Sequence, residues 1–215
     1  ATTYLAPLKF DGTPYSTTCS KAYTNGFDTG STPVDLASGY QPSFGFQPQS
    51  NHCYARHPVI DSGADKQFSS DTVNVPAYYY RYVEGGTGCT GATISKTNEA
   101  CYVYTAVGAA EQQNFANWYS FYRTRNLATV SAATRAFNNL PSTMRLGWQA
   151  LNSSCDDFTG AGCQGWDSVK RDNRIRALSA SSHKENFFKW LEKMPANGST
   201  PLRVALGRVG EYYSI

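Results

Sequence analysis

Hydrophobic positions recur with two different periods along the 215 residues, and the change of period divides the chain. Near the C-terminus, Phe187, Phe188, Leu191 and Met194 fall at helical spacing, which predicts a helix over 182–194. Ser182 and Glu185 are placed to form a capping box at its start. Pro195 and Asn197-Gly198 stop it. A second helix follows, with Thr200 as its cap, Pro201 in its first position, and Leu202, Ala205, Leu206 and Val209 as one apolar stripe. The longest helical pattern spans 109–140. Phe115, Trp118, Tyr119, Tyr122, Val130, Ala133 and Phe137 recur there at three- and four-residue steps.

Strand periodicity appears in four places. Tyr78-Tyr79-Tyr80-Arg81-Tyr82-Val83 and residues 100–107 are rich in β-formers and flank the loop Gly85-Gly86-Thr87-Gly88. Met144, Leu146, Trp148 and Ala150 alternate, predicting a strand over 144–151, and residues 174–179 make a short strand. Residues 1–77 are instead cut by turn signals such as Asp11-Gly12-Thr13-Pro14, Asn25-Gly26 and Asp61-Ser62-Gly63. From residue 109 the order helix, strand, strand, helix, helix predicts layered α/β packing.

Composition sharpens the division. Residues 1–108 carry 6 Lys/Arg against 8 Asp/Glu, and residues 109–215 carry 13 against 8. Eleven of the 15 tyrosines precede residue 109. Two regions, 1–108 and 109–215, therefore meet near Gly108. No run approaches the roughly 20 apolar residues of a membrane span. Ala1-Thr2-Thr3-Tyr4 lacks the basic and apolar regions of a signal peptide. Arg123, Arg125 and Arg135 lie among aromatic residues, but no nucleic-acid motif accompanies them. The better reading is Arg stems packed on aromatics, with no nucleic-acid partner.

The six cysteines are Cys19, Cys53, Cys89, Cys101, Cys155 and Cys163. None has zinc spacing. Cys89/Cys101 and Cys155/Cys163 lie close together, each flanking a polar loop, and read as local disulfides, with Cys19–Cys53 as the remaining pair. Proximity alone selects this among the fifteen possible connectivities. Disulfides point to an oxidising, extracellular compartment. Catalytic signals are weak. His57, Asp61 and Ser62 are sequence neighbours rather than an assembled triad, and no Gly-x-Ser-x-Gly elbow occurs. His183, at a helix start, reads as a surface residue. Asp156 and Asp157 lack EF-hand spacing and read as a solvated turn. The tyrosine-rich strands suggest either a binding stripe or cross-strand aromatic pairing, the latter being the better reading.

Three runs carry a resemblance: Asn117-Trp118-Tyr119-Ser120-Phe121-Tyr122-Arg123-Thr124-Arg125, Phe187-Phe188-Lys189-Trp190-Leu191, and Gly198-Ser199-Thr200-Pro201-Leu202-Arg203-Val204-Ala205-Leu206. Residues 3–13 add a fourth. Together they resemble the PilY/PilC family of type IV pilus tip adhesins, within its von Willebrand factor A-like domain. The resemblance implies a partial Rossmann-like α/β sandwich in which residues 1–108 are a large loop- and β-rich, disulfide-braced insertion. It implies a metal-ion-dependent adhesion site in the complete domain, holding Mg or Ca with Thr200 as one oxygen donor. The family's Asp-x-Ser-x-Ser loop occurs nowhere in this sequence. The resemblance implies that it precedes Ala1 and that the strand with the second aspartate follows Ile215, so the chain reads as a segment cut at both ends. The implied function is non-enzymatic extracellular adhesion at the pilus tip, towards minor pilins, host molecules or abiotic surfaces. A filament subunit joined through exposed strand edges is the alternative, and a secreted hydrolase the lesser one.

Overall fold

The computed structural model describes residues 2–17, 21–23, 27, 33–38, 40, 76–151, 173–194 and 200–214. Among these, helices mix with three small antiparallel sheets, an α/β composition. Strand β1 (Lys21–Tyr23) pairs with β2 (Pro33–Asp35), β3 (Tyr78–Tyr82) with β4 (Tyr102–Ala106), and β5 (Arg145–Leu146) with β6 (Arg176–Ala177). The helices are α1 (Gln112–Phe121), α2 (Arg125–Asn138), α3 (His183–Lys193) and α4 (Leu202–Ser214). Two compact units result. One holds Ala1–Leu5, Thr17–Thr24 and Ser31–Arg123, and the other holds Ala6–Ser16, Asn25–Gly30 and Thr124–Ile215.

The first unit packs around Tyr40. Its ring meets Tyr78, Phe115 and Tyr119 edge-on, with centroids 5.4, 5.6 and 5.9 Å away. Edge-to-face contact suits the ring quadrupoles and adds about 0.5–1.5 kcal/mol per pair beyond burial. Ala22, Leu36, Ala77 and Ala116 complete this core. Helix α1 is strapped by the chain's first residues. Asn114 Oδ1 accepts from the Tyr4 amide at 2.6 Å, and Asn117 Nδ2 donates to the Tyr4 carbonyl at 2.8 Å. The Tyr122 hydroxyl donates to the Leu5 carbonyl at 2.6 Å. Two of the sequence runs singled out above thus meet through side chains that satisfy backbone groups outside any helix or sheet.

The expected helix over 109–140 is two helices. Tyr122 leaves helical geometry at φ −133°, and Thr124 is extended, its Oγ1 accepting from the Leu127 amide at 3.2 Å. A threonine hydroxyl that caps a new helix outcompetes continuation of the old one. The apolar spacing carries on across the break, so periodicity alone conceals it. Arg123 lays its guanidinium 4.6 Å from the Tyr119 ring centroid, a cation–π contact consistent with Arg packed on aromatics.

The second unit buries Leu127, Val130 and Ser131 of α2, and Phe187, Phe188, Trp190 and Leu191 of α3. Phe137 and Phe187 meet at 4.7 Å. The expected 144–151 strand pairs only at Arg145–Leu146, because β6 offers just two residues as partner. The inward alternation persists beyond the ladder, with Trp148 and Ala150 buried. The Trp148 amide donates to the Asn173 carbonyl and Asn173 Nδ2 returns to the Trp148 carbonyl, each at 3.1 Å. A Cβ on Gly147 would sit 2.9 Å from Ile175 Cγ1, so this close approach requires glycine.

Three further expectations are corrected. Ser182 does not cap α3: its backbone is left-handed at φ 30°, and a capping hydroxyl needs an extended backbone to reach back. Glu185 instead pairs with Lys189 at 2.6 Å. His183 is not a surface residue but is 2% exposed, its ring tilted against Trp148 with centroids 4.8 Å apart. Its Nε2–H donates to the Leu146 carbonyl at 2.7 Å, a bond that fixes the tautomer because a carbonyl can only accept. The stripe of α4 does not all face inward. Ala205 and Arg208 are buried, while Leu202 and Leu206 are 63% and 72% exposed. Arg208 sets this rotation, donating to the Ala150 and Leu151 carbonyls at 2.9 and 3.0 Å and to Gln149 Oε1 at 3.2 Å.

Two outcomes test this account. Thr124→Ala should lower stability by about 1 kcal/mol in urea denaturation, the usual worth of a helix cap. Arg208→Met keeps the apolar stem but leaves two carbonyls without their donor. It should cost about 2 kcal/mol and raise exchange of α4 amides.

Candidate interaction surface

The tyrosine hairpin is the most unusual surface of the first unit. Strand alternation places Tyr78, Tyr80 and Tyr82 on one face opposite Ala106, Tyr104 and Tyr102. The rings form a ladder: Tyr78–Tyr104 at 5.2 Å, Tyr80–Tyr104 at 6.1 Å and Tyr82–Tyr102 at 5.4 Å. The inner end, at Tyr78, belongs to the Tyr40 core, and the ladder emerges from it toward Tyr82 and Tyr102. Cross-strand pairing is therefore the structural role of these tyrosines. Burial, then the neighbouring Tyr80 and Tyr104, pushes the Tyr78 phenol up to about 12, so it stays protonated at any ordinary pH. On the opposite face Tyr79 donates to both carboxylate oxygens of Glu111, at 3.1 and 3.2 Å.

Beyond the ladder the loop is held by chemistry rather than by a core. Cys89 and Cys101 are fully buried and joined in a disulfide. The expected local pair is thus present. Cys19, Cys53, Cys155 and Cys163 lie outside the described residues. Inside the ring, Asn98 Nδ2 donates to the Gly88 and Thr93 carbonyls at 2.8 and 2.7 Å, and its Oδ1 accepts from the Ala100 amide at 3.1 Å. The Tyr102 hydroxyl donates to the Lys96 carbonyl at 2.8 Å. Gly88 is at φ 80°, and a Cβ there would lie 2.9 Å from Ala100 Cβ. The result is an exposed polar knob, rich in Thr and Gly, with its backbone pre-arranged.

In the second unit, Thr200 is exposed just ahead of α4, its carbonyl accepting from the Leu202 amide at 2.9 Å. A neutral hydroxyl suits a hard cation, but one donor is not a site. Among the described residues no three His, Cys, Asp or Glu side chains gather where a cation could bind. The residues described therefore do not by themselves fit Mg or Ca. Asp156, Asp157, His52, His57, Asp61 and Ser62, weighed above, lie outside the described residues. Leu202, Leu206 and Tyr213 follow one another at helical spacing on the outer side of α4, 63%, 72% and 71% exposed. Gly210 falls within this stripe, where an added Cβ would meet nothing. The sequence pattern grouped Leu202 and Leu206 with Ala205 and Val209 in one apolar stripe; the buried Arg208 shows that α4 turns the two leucines outward. No described helix is long and apolar enough to cross a membrane.

Comparison with known proteins gives these surfaces a context. The chain is similar to a segment of PilY1. It is 43% identical over 192 residues to the type IV pilus biogenesis factor PilY1 of Pseudomonas aeruginosa strain PAK. The PilY1 proteins of strains PAO1 and UCBPP-PA14 are 39% and 36% identical over 193 and 191 residues. These matches cover 89–90% of this chain but only 14% of each relative's length. No protein-family model matches the chain, and no solved structure matches it.

The hairpin knob yields a prediction. Cys89→Ser with Cys101→Ser should lower stability by about 3 kcal/mol, the chain-entropy value for a loop of this length. Amide exchange should rise across residues 89–101 while α1 stays protected.

Proposed function

We propose that this chain is an extracellular, non-enzymatic binding module of a type IV pilus tip protein. The observation that carries the reading is similarity along nearly the whole chain to proteins named for type IV pilus biogenesis. The buried Cys89–Cys101 disulfide supports an oxidising compartment. In this reading, residues 109–215 are the α/β part of a von Willebrand factor A-like domain, and residues 1–108 are an insertion within it. Thr200 is a contributing donor to Mg or Ca only in a longer protein that supplies the two acidic loops this sequence lacks. The partners are minor pilins or the pilus tip, and host or abiotic surfaces at the cell exterior. The Leu202–Leu206–Tyr213 stripe supports binding through α4, since contiguous exposed apolar residues mark interaction surfaces.

The test uses the full-length parent protein in its own cells. Deleting the segment should reduce surface piliation and attachment several-fold. Replacing Leu202 and Leu206 with lysine should leave export intact and lower attachment, because it removes apolar contact without touching a buried residue. Wild-type piliation and attachment in the deletion strain would refute the reading. An effect of the deletion without one from the lysine variant would assign the activity to another surface.

A further inference from the structure

The second unit contains a titratable contact that the proposed function leaves unused. Residues 6–16 fold back on themselves: the Tyr15 amide donates to the Pro7 carbonyl at 3.0 Å, the Lys9 amide to the Thr13 carbonyl at 2.8 Å, and Leu8 and Pro14 form an isolated bridge. Asp11 braces the turn, accepting from the Thr13 amide and hydroxyl at 2.9 and 2.6 Å. The folded loop is fastened at two points. Arg135 Nη1 of α2 donates to the Ala6 carbonyl at 3.0 Å. At the other point, the Tyr15 hydroxyl donates to Glu192 Oε1 in the last turn of α3. The Tyr15 ring is itself held, with Phe27 edge-on at 5.2 Å and the Lys9 ammonium 5.6 Å from its centroid.

Glu192 is a carboxyl set partly out of water beneath this loop. We propose that Glu192 and Tyr15 form a protonation-controlled latch that holds residues 6–16 on α3. A neutral carboxylic acid loses little when the loop covers it and still accepts from the phenol. An ionised carboxylate covered by the loop gives up hydration that a phenol and a neighbouring ammonium replace only in part. Opening the loop restores water to it.

Among the described residues, the charged groups facing Glu192 are Lys9 from the loop and Lys193 from its own helix, and both favour ionisation. Burial outweighs them and pushes the Glu192 carboxyl up from 4.5 to about 7. The direction of the switch follows. A raised value in the docked state means that docking holds the proton. The latch is therefore fully favoured below the ordinary carboxylate value and weakens as pH climbs through about 7. One proton allows at most a tenfold change in the opening equilibrium per pH unit.

Hydrogen exchange of the whole chain at pH 5.5 and pH 8, corrected for the intrinsic pH dependence of exchange, reads the latch directly. Protection of the Lys9 and Tyr15 amides should fall by roughly twenty- to thirtyfold at the higher pH, as a docked value near 7 against a free value of 4.5 requires. In Glu192→Gln, which cannot ionise, protection should be independent of pH. In Tyr15→Phe it should be lower at both values and keep its pH dependence. A carbon-detected titration of the Glu192 carboxyl gives a second readout that needs no variant, with a midpoint near 7 expected. A midpoint near 4.5, or the same loss of protection in Glu192→Gln as in the wild type, would overturn the proposal.

Discussion

The hydrogen bonding of the first residues to α1 is the constraint on which the first unit depends. Residues 2–5 belong to no helix or sheet among the described residues, so side chains must serve their backbone. Asn114 and Asn117, spaced to share one face of α1, take both backbone groups of Tyr4, and Asn114 Nδ2 also reaches the Thr2 carbonyl at 3.2 Å. Tyr122, at the end of the helix, takes the Leu5 carbonyl and sets its ring tilted against Tyr4 with centroids 5.2 Å apart. With those polar groups satisfied, the opposite face of α1 is available for Phe115 and Tyr119 to meet Tyr40. Losing either asparagine would leave a part-buried backbone group without its donor or acceptor, which costs more than a solvent-exposed bond returns.

The same requirement shapes the second unit with different residues. Its short ladder leaves carbonyls from the end of β5 onward in need of donors, and Arg208, Asn173 and His183 supply them to Ala150, Leu151, Trp148 and Leu146. A buried guanidinium with several acceptors is a workable arrangement because its donors are fixed in a plane and its charge strengthens each bond. It also has a consequence for the surface. Once Arg208 must point inward, the helical period of α4 carries Leu202 and Leu206 outward. The exposed apolar stripe thus follows from a polar demand in the interior.

The sequence was legible wherever period and burial agreed. The β3–β4 pair and the aromatic face of α3 follow from their patterns, and the Cys89–Cys101 pair follows from proximity across a polar loop. It misled where a polar side chain decided the outcome. Thr124 splits a helix whose apolar spacing never falters. Ser182 has the right identity for a cap and the wrong backbone. His183 looks like a surface residue until the carbonyl of Leu146 is seen to need a donor. Each of these depends on a partner distant in sequence or on a local φ, and hydrophobic periodicity carries neither.

The candidate surface divides in the same way. The tyrosine run was readable as aromatic pairing, and the ladder shows that pairing extending from the Tyr40 core to the disulfide-closed knob. A stripe of rings buried at one end and emerging at the other is rigid where it leaves the core, because each ring is wedged by its neighbour across the strands. Cysteines and hydrogen-bonded turns then hold the polar loop beyond it. Thr200, by contrast, gains nothing from the described residues around it that would make it a site. It sits at a helix start, and the described chain brings no carboxylate cluster to it. The apolar stripe of α4 and the stapled hairpin are instead formed by described residues alone. They are the surfaces on which the proposed binding role rests.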